Sequence, residues 1–266
     1  MKSKNNSKSE LKIKIKKELV NRFFLFKKIY SSLFFLKFYI KSLFVKPKDI
    51  AIAITTSKNY FDKTIPELIQ RLSKLGFDLN KVYVFEGGYE KNEKIESSYN
   101  HYRVNHNSFD LTALISILDL KIDNEKHWLL LHDTLHIKKS FKYIIATINP
   151  ELYDCMPIRD QQSMNIGIYS HDFIVKNEDY ILSVKNMDYS EEGIQKSKYR
   201  GVLEEGYLFK ISKNKKIINK LLHFSEHIES ESYFGTIRSK ETYPQLGIVK
   251  YKANFKKADK WIVTLS

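Results

Sequence analysis

The feature that most constrains this chain is His127-Trp128-Leu129-Leu130-Leu131-His132-Asp133-Thr134. Four large apolar residues end abruptly in an imidazole, a carboxylate and a hydroxyl. So short a run with polar residues at both ends predicts a strand buried on both faces. Strands of that kind belong to parallel sheets covered by helices. Such sheets bind ligands beyond the carboxyl ends of their strands. Asp133 therefore falls where chemistry is expected. The alternative is that it only caps a helix that follows it.

The segments before it alternate between strand and helix. Asp49 to Ile54 reads as a buried strand ending at Thr55-Thr56. Thr64-Ile65-Pro66-Glu67 has capping-box spacing with proline in the first turn. It predicts a helix with Leu68, Ile69, Leu72 and Leu75 inward and Gly76 at its end. Lys81 to Phe85 is a second strand, closed by Glu86-Gly87-Gly88. Tyr89 to His106 reads as a polar loop, and Asn107-Ser108 as the cap of a helix carrying Leu111, Leu114, Ile115, Ile117 and Leu118. This order predicts an α/β fold with a mainly parallel or mixed central sheet flanked by helices. The second half is less regular. A helix is expected from Ile137 to Ile148, strand pieces on either side of Ser170-His171-Asp172, and a basic helix from Leu208 to Phe224.

Charge divides the chain in two. Residues 1–48 hold 14 Lys/Arg against 2 Glu, and residues 49–266 hold 31 Lys/Arg against 29 Asp/Glu. The surplus of +14 is thus +12 in the first segment and +2 in the body. A nucleic-acid-binding domain carries its basic face on the body, so nucleic acid is not expected as a partner. Stacking of the tail's aromatics on bases would be the route if it were.

Phe23 to Phe44 contains nine aromatic residues, but lysines interrupt the stretch. Its longest charge-free run, Ile29 to Leu36, is far below the ~20 residues of a spanning helix. Lysines within the apolar region also disfavour a signal peptide. Residues 1–48 are expected to form a basic, aromatic-rich helical segment, either lying on an anionic membrane surface or packed on protein. Pro47 marks the boundary to a body at 49–266. Cys155 is the sole cysteine, which removes intrachain disulfides and cysteine-rich zinc sites and fits a reducing, cytoplasmic setting.

The strand-end chemistry narrows the function. The turn after the first strand, Thr55-Thr56-Ser57-Lys58-Asn59, lacks the glycines of a dinucleotide-binding loop. There is no Walker loop, serine-nucleophile elbow or His-Glu-x-x-His zinc helix. Ile52 to Thr56, the helix after it, Val82 to Gly88, the helix from Ser108 and Trp128 to Thr134 together resemble a GT-A type glycosyltransferase, the Rossmann-like fold that uses nucleotide sugars. The resemblance spans about residues 49–135, the nucleotide-binding half, with 136–266 as the acceptor half. It implies that Thr55, Thr56 and Glu86 line the nucleoside pocket. It also implies that Asp133, in a shortened Asp-x-Asp motif, binds Mn²⁺ or Mg²⁺ and the sugar diphosphate, with His132 and Thr134 beside it; with one carboxylate where the family has two, a metal-independent enzyme and a lost activity are the alternatives. A divalent cation would stabilise the charge developing on the leaving diphosphate.

Asp172, Glu204 and Glu205 are candidates for the general base that an inverting transfer requires. Asn107, with Tyr102 and Arg103 upstream, lies where helix amides could meet phosphate. His171 is a further candidate near these sites. The expected activity is glycosyl transfer from a nucleotide sugar to a saccharide or lipid-linked acceptor in surface-glycan synthesis, at the cytoplasmic face of a membrane. The competing reading is a non-catalytic protein that keeps the fold and binds a membrane or partner through its tail.

Overall fold

The computed structural model describes residues 28–45, 48–159, 164–187, 206–218, 224–232 and 235–253, with residues 18, 22, 25 and 26. Residues 28–42 form α1. The body then runs β1 (Ala51–Ser57), α2 (Phe61–Lys74), β2 (Val82–Gly87), β3 (Glu93–Ile95), β4 (Asn100–Val104) and α3 (Thr112–Asp119). It continues through β5 (His127–His132), β6 (Leu135–Ile137), α4 (Ser140–Thr147), β7 (Cys155–Pro157), β8 (Gly167–Ser170), α5 (His171–Lys176) and α6 (Glu178–Ser183). Last come α7 (Tyr207–Ile211), β9 (Phe224–Ser232), β10 (Gly235–Tyr243) and β11 (Ile248–Ala253).

The fold is α/β. A seven-stranded sheet has the order β3-β4-β2-β1-β5-β8-β7, and a four-stranded sheet the order β6-β11-β10-β9. β4, β2, β1 and β5 are mutually parallel, whereas β3, β8 and β7 run antiparallel to their neighbours. The hydrophobic runs of β1 and β5 are explained by burial on both faces. Ala51, Ala53, Trp128 and Leu130 pack on one face with Leu114 and Ile117 of α3. Ile52, Ile54, Leu129 and Leu131 pack on the other with Ile65, Leu68 and Leu72 of α2. That second core also takes in Phe141, Leu246 and Ile248. The two halves of the body therefore share one core beneath the sheet.

Several elements differ from the sequence expectation. The loop expected over Tyr89 to His106 contains β3 and β4. β4 is polar because its neighbour β2 ends in Glu86, which His101 and Arg103 meet. The capping box at Thr64 goes unused: α2 starts a turn earlier, and the Thr64 hydroxyl donates to the Tyr60 carbonyl instead (2.9 Å). The helix expected from Asn107-Ser108 opens as a 3₁₀ turn, Phe109–Leu111, and the Ser108 side chain makes no capping bond.

Ile137 belongs to β6, so the next helix begins only at Ser140. Phe173 to Val175 is helical, because Ser170 caps α5 by accepting the Phe173 N–H (3.3 Å). The basic helix expected to Phe224 shortens to α7. Beyond Ser212 the chain is drawn alongside β7, where the Lys216 N–H donates to the Cys155 carbonyl (3.2 Å).

Candidate ligand site at the strand ends

From β1 the chain moves outward through β2 and β4. α3 then carries it back, and β5 pairs on the other side of β1. The direction of winding reverses between β1 and β5. In open α/β sheets the crevice outside the carboxyl ends of strands at such a point is where ligands bind. Thr55 of β1 lies opposite His132 of β5, and the Asp133 N–H continues the ladder by donating to the Thr55 carbonyl (3.1 Å).

Strand alternation sends successive side chains to opposite faces here. Thr56 and Asp133 fall on the α2 side, and the Thr56 hydroxyl donates to Asp133 Oδ2 at 2.7 Å. Thr64 Oγ1 lies 3.4 Å from the same oxygen. Asp133 is half-buried, and the surrounding protein pushes its carboxyl up to about 6, with the Asp110 charge adding to the rise and the Thr56 bond opposing it. The Tyr60 phenol is raised by burial and by the Asp133 charge. Asp133 caps no helix. Strand β6 intervenes before α4, whose N-terminal flank makes no side-chain capping bond.

His132 points to the α3 side. Its Nδ1 lies 3.2 Å from Asp110 Oδ1. A carboxylate only accepts, so Nδ1 carries the proton and Nε2 presents a lone pair. Nε2 is buried and has no hydrogen-bond partner among the described residues. Burial holds the imidazole down at about 3, so the ring is neutral. Asn165, itself buried, donates to Asp110 Oδ2 (2.8 Å) and accepts the Ile166 N–H (2.8 Å). Phe109, just before Asp110, has φ of 47°, the left-handed region that side chains rarely adopt. Strain of that kind concentrates where a side chain must be aimed.

Sequence reading missed Asp110. The available signal was a carboxylate in the turn opening the helix that returns the chain to β5.

The other expected site residues are placed unequally. Thr55 is committed to structure: its hydroxyl accepts the Ala113 N–H at the start of α3 (3.0 Å). Glu86 ends β2 at the same edge of the sheet but is buried. It accepts from Tyr89 Oη (2.6 Å), contacts His101 Nε2 (3.0 Å) and lies 3.5 Å from Arg103 Nε. Phe61 stacks on His101, closing that side (4.6 Å between ring centroids). Tyr102 stacks on Phe85. Asn107 is exposed and lies against Gly87, where any added Cβ would meet the His106 carbonyl at 2.6 Å. The Thr134 carbonyl accepts the Tyr251 N–H (3.0 Å), linking the site to the second sheet.

Asp172 is displaced from the site. β8 runs antiparallel to β5 with Ser170 opposite His127, so Asp172 lies at the far end of the sheet from Asp133. His171 lies there too and accepts from Trp128 Nε1 (3.2 Å). Neither is near the crevice. Glu204 and Glu205 lie outside the described residues.

Among the described residues no three His, Cys, Asp or Glu groups form a ready-made cage for a metal ion. The Asp110 charge raises the cost of ionising Asp133. Like charges held together in a partly buried setting are relieved by a cation. Mg²⁺ characteristically takes one or two carboxylates and completes its shell with water and substrate phosphate. Asp133 and Asp110 are the carboxylates that could contribute to holding such a cation.

Compared with protein-family models, curated proteins and solved structures, the chain has no match in any of the three.

Proposed function

We propose that this chain is a glycosyltransferase that moves a sugar from a nucleotide-sugar donor to a saccharide or lipid-linked acceptor. One observation carries the reading. A carboxylate raised to about 6 sits at the carboxyl ends of adjacent parallel strands, at the point where the winding reverses. A perturbed acid at a strand-end switch point is a candidate functional site. Asp110, whose charge acts on Asp133, would be the second carboxylate beside the shortened Asp-x-Asp motif.

In this reading Asp133 and Asp110 would hold Mg²⁺ or Mn²⁺ when the donor binds. The cation supplies Lewis-acid stabilisation of the departing nucleoside diphosphate. Thr56 orients the Asp133 carboxylate. Asp110 and Asn165 fix the His132 ring in one tautomer beside Asp133. Glu86 keeps the wall of the crevice rigid through His101 and Tyr89 rather than reaching the ligand by a free side chain. The cytoplasmic face of a membrane is the proposed place of action.

The test is release of nucleoside diphosphate from a panel of uridine, guanosine and cytidine diphosphate sugars, with and without Mn²⁺. Release from at least one donor, abolished by Asp133→Asn, supports the reading. No release and no binding for any donor removes it.

A further inference from the structure

We infer that α1 is a membrane-docking helix that lays one aliphatic face on an anionic lipid surface. This rests on surface chemistry and is independent of the proposed transferase activity. Among the described residues, eleven of the fourteen exposed large apolar side chains lie between Leu25 and Val45. On the body such residues are single and scattered, which is ordinary for soluble folds. A contiguous patch is not ordinary and marks an interaction surface.

The patch has a direction. At 3.6 residues per turn, Leu25, Ile29, Leu33, Leu36, Ile40 and Leu43 fall within an arc of about 80°. Leu33 and Leu43 are 61% and 63% exposed. Lys37 and Lys41 border the arc on one side and Lys28 on the other. No acidic residue occurs from 28 to 45. A different side of the helix holds it to the body. The rings of Phe35 and Tyr39 meet Tyr143 of α4 edge-on, with centroids 5.7 and 5.1 Å apart. Just beyond the helix, Lys48 pairs with Glu151 (3.0 Å). The aliphatic arc is thus presented outward from a mounted helix.

Charge selects the occupant. Protein interfaces are depleted in lysine at their centres. An apolar arc edged by lysines, within a segment (residues 1–48) of net charge +12, complements an acyl boundary beneath anionic headgroups. No helix among the described residues is long and apolar enough to cross a membrane.

The experiment is flotation of the full chain with vesicles of phosphatidylcholine alone and of phosphatidylcholine mixed with phosphatidylglycerol. The full chain should bind the mixed vesicles, and salt should release it. Lys37→Gln/Lys41→Gln should weaken binding about 25-fold, from about fivefold per basic residue at an anionic surface. Leu36→Gln/Ile40→Gln should weaken it at least tenfold. Both variants alter exposed positions, so their urea unfolding midpoints should match the parent. Failure of the full chain to bind mixed vesicles, or equal binding by the parent and both variants, overturns the inference. So does a dimer of the full chain that Leu36→Gln/Ile40→Gln dissociates, because the face would then belong to a second copy.

Discussion

His132 Nδ1 stands 3.2 Å from Asp110 Oδ1, a contact between residues 22 positions apart, formed because α3 brings its own entrance turn back over the end of β5. The contact fixes which ring nitrogen carries the proton. In Asp110→Asn the amide can donate to Nδ1, which moves the ring proton to Nε2. The expected result is an exchange of the protonated and unprotonated ring-nitrogen signals of His132 in nitrogen NMR. Donor binding should fall about tenfold or more, because Asp110 is one of the two carboxylates proposed to hold the cation. Unchanged His132 signals would remove Asp110 as its orienting group.

Glu86 is predicted to be a stability residue. Glu86→Ala strands His101 Nε2, the Tyr89 hydroxyl and Arg103 beside a buried void. Removing one member of a buried charged cluster costs about 3 kcal/mol or more. Urea unfolding should show the loss, and Glu86→Gln should recover part of it. A variant as stable as the parent would show that the network contributes little.

Much of this was legible in the sequence, and the misses have physical reasons. The apolar runs at Ala51–Ile54 and Trp128–Leu131 announced a doubly covered sheet because only burial on both faces explains them. β4 was not legible: Asn100 to Val104 is polar, and its partner is a carboxylate on another strand. Alternation along Ile52 to Thr56 already separated Thr55 from Thr56, yet which of the two faces Asp133 depends on where α2 and α3 lie. Asp172 looked plausible because it follows a strand, but the antiparallel direction of β8 puts that strand end on the wrong edge. Asp110 required the tertiary return of α3.

Acid should destabilise the fold through His106. Its ring is bracketed by the Ser108 and Ser116 hydroxyls (2.9 and 3.1 Å), and burial lowers its pKa to about 4. Between about 6.5 and 4 the unfolded chain holds a proton that the folded chain does not. Stability from this group is therefore complete above 6.5 and falls as the pH drops through that window, by about 3 kcal/mol in all. The measurement is the pH dependence of the urea midpoint in the parent and in His106→Gln. A flatter profile in the variant is expected, and identical slopes would contradict it.

Asp133 has the opposite sign. Its folded pKa is raised to about 6, so its ionisation above that pH works against the folded state. Asp133→Asn removes the charge and keeps an acceptor for the Thr56 hydroxyl. At pH 7.5 the variant should be more stable by about 2 kcal/mol, allowing for partial exposure. A destabilised variant would assign the carboxylate to the scaffold. Function retained at a cost in stability is what a reactive site displays.

The most direct measurement is a thermal-shift comparison of the parent and Asp133→Asn against uridine, guanosine and cytidine diphosphate sugars, each with and without Mn²⁺. A ligand at a hundred times its dissociation constant stabilises the folded state by about 2.7 kcal/mol. At least one donor should raise the melting temperature of the parent in a Mn²⁺-dependent way, and the same donor should leave Asp133→Asn unmoved. A parent indifferent to every donor, or a variant that responds as fully as the parent, would contradict a nucleotide-sugar site built on Asp133.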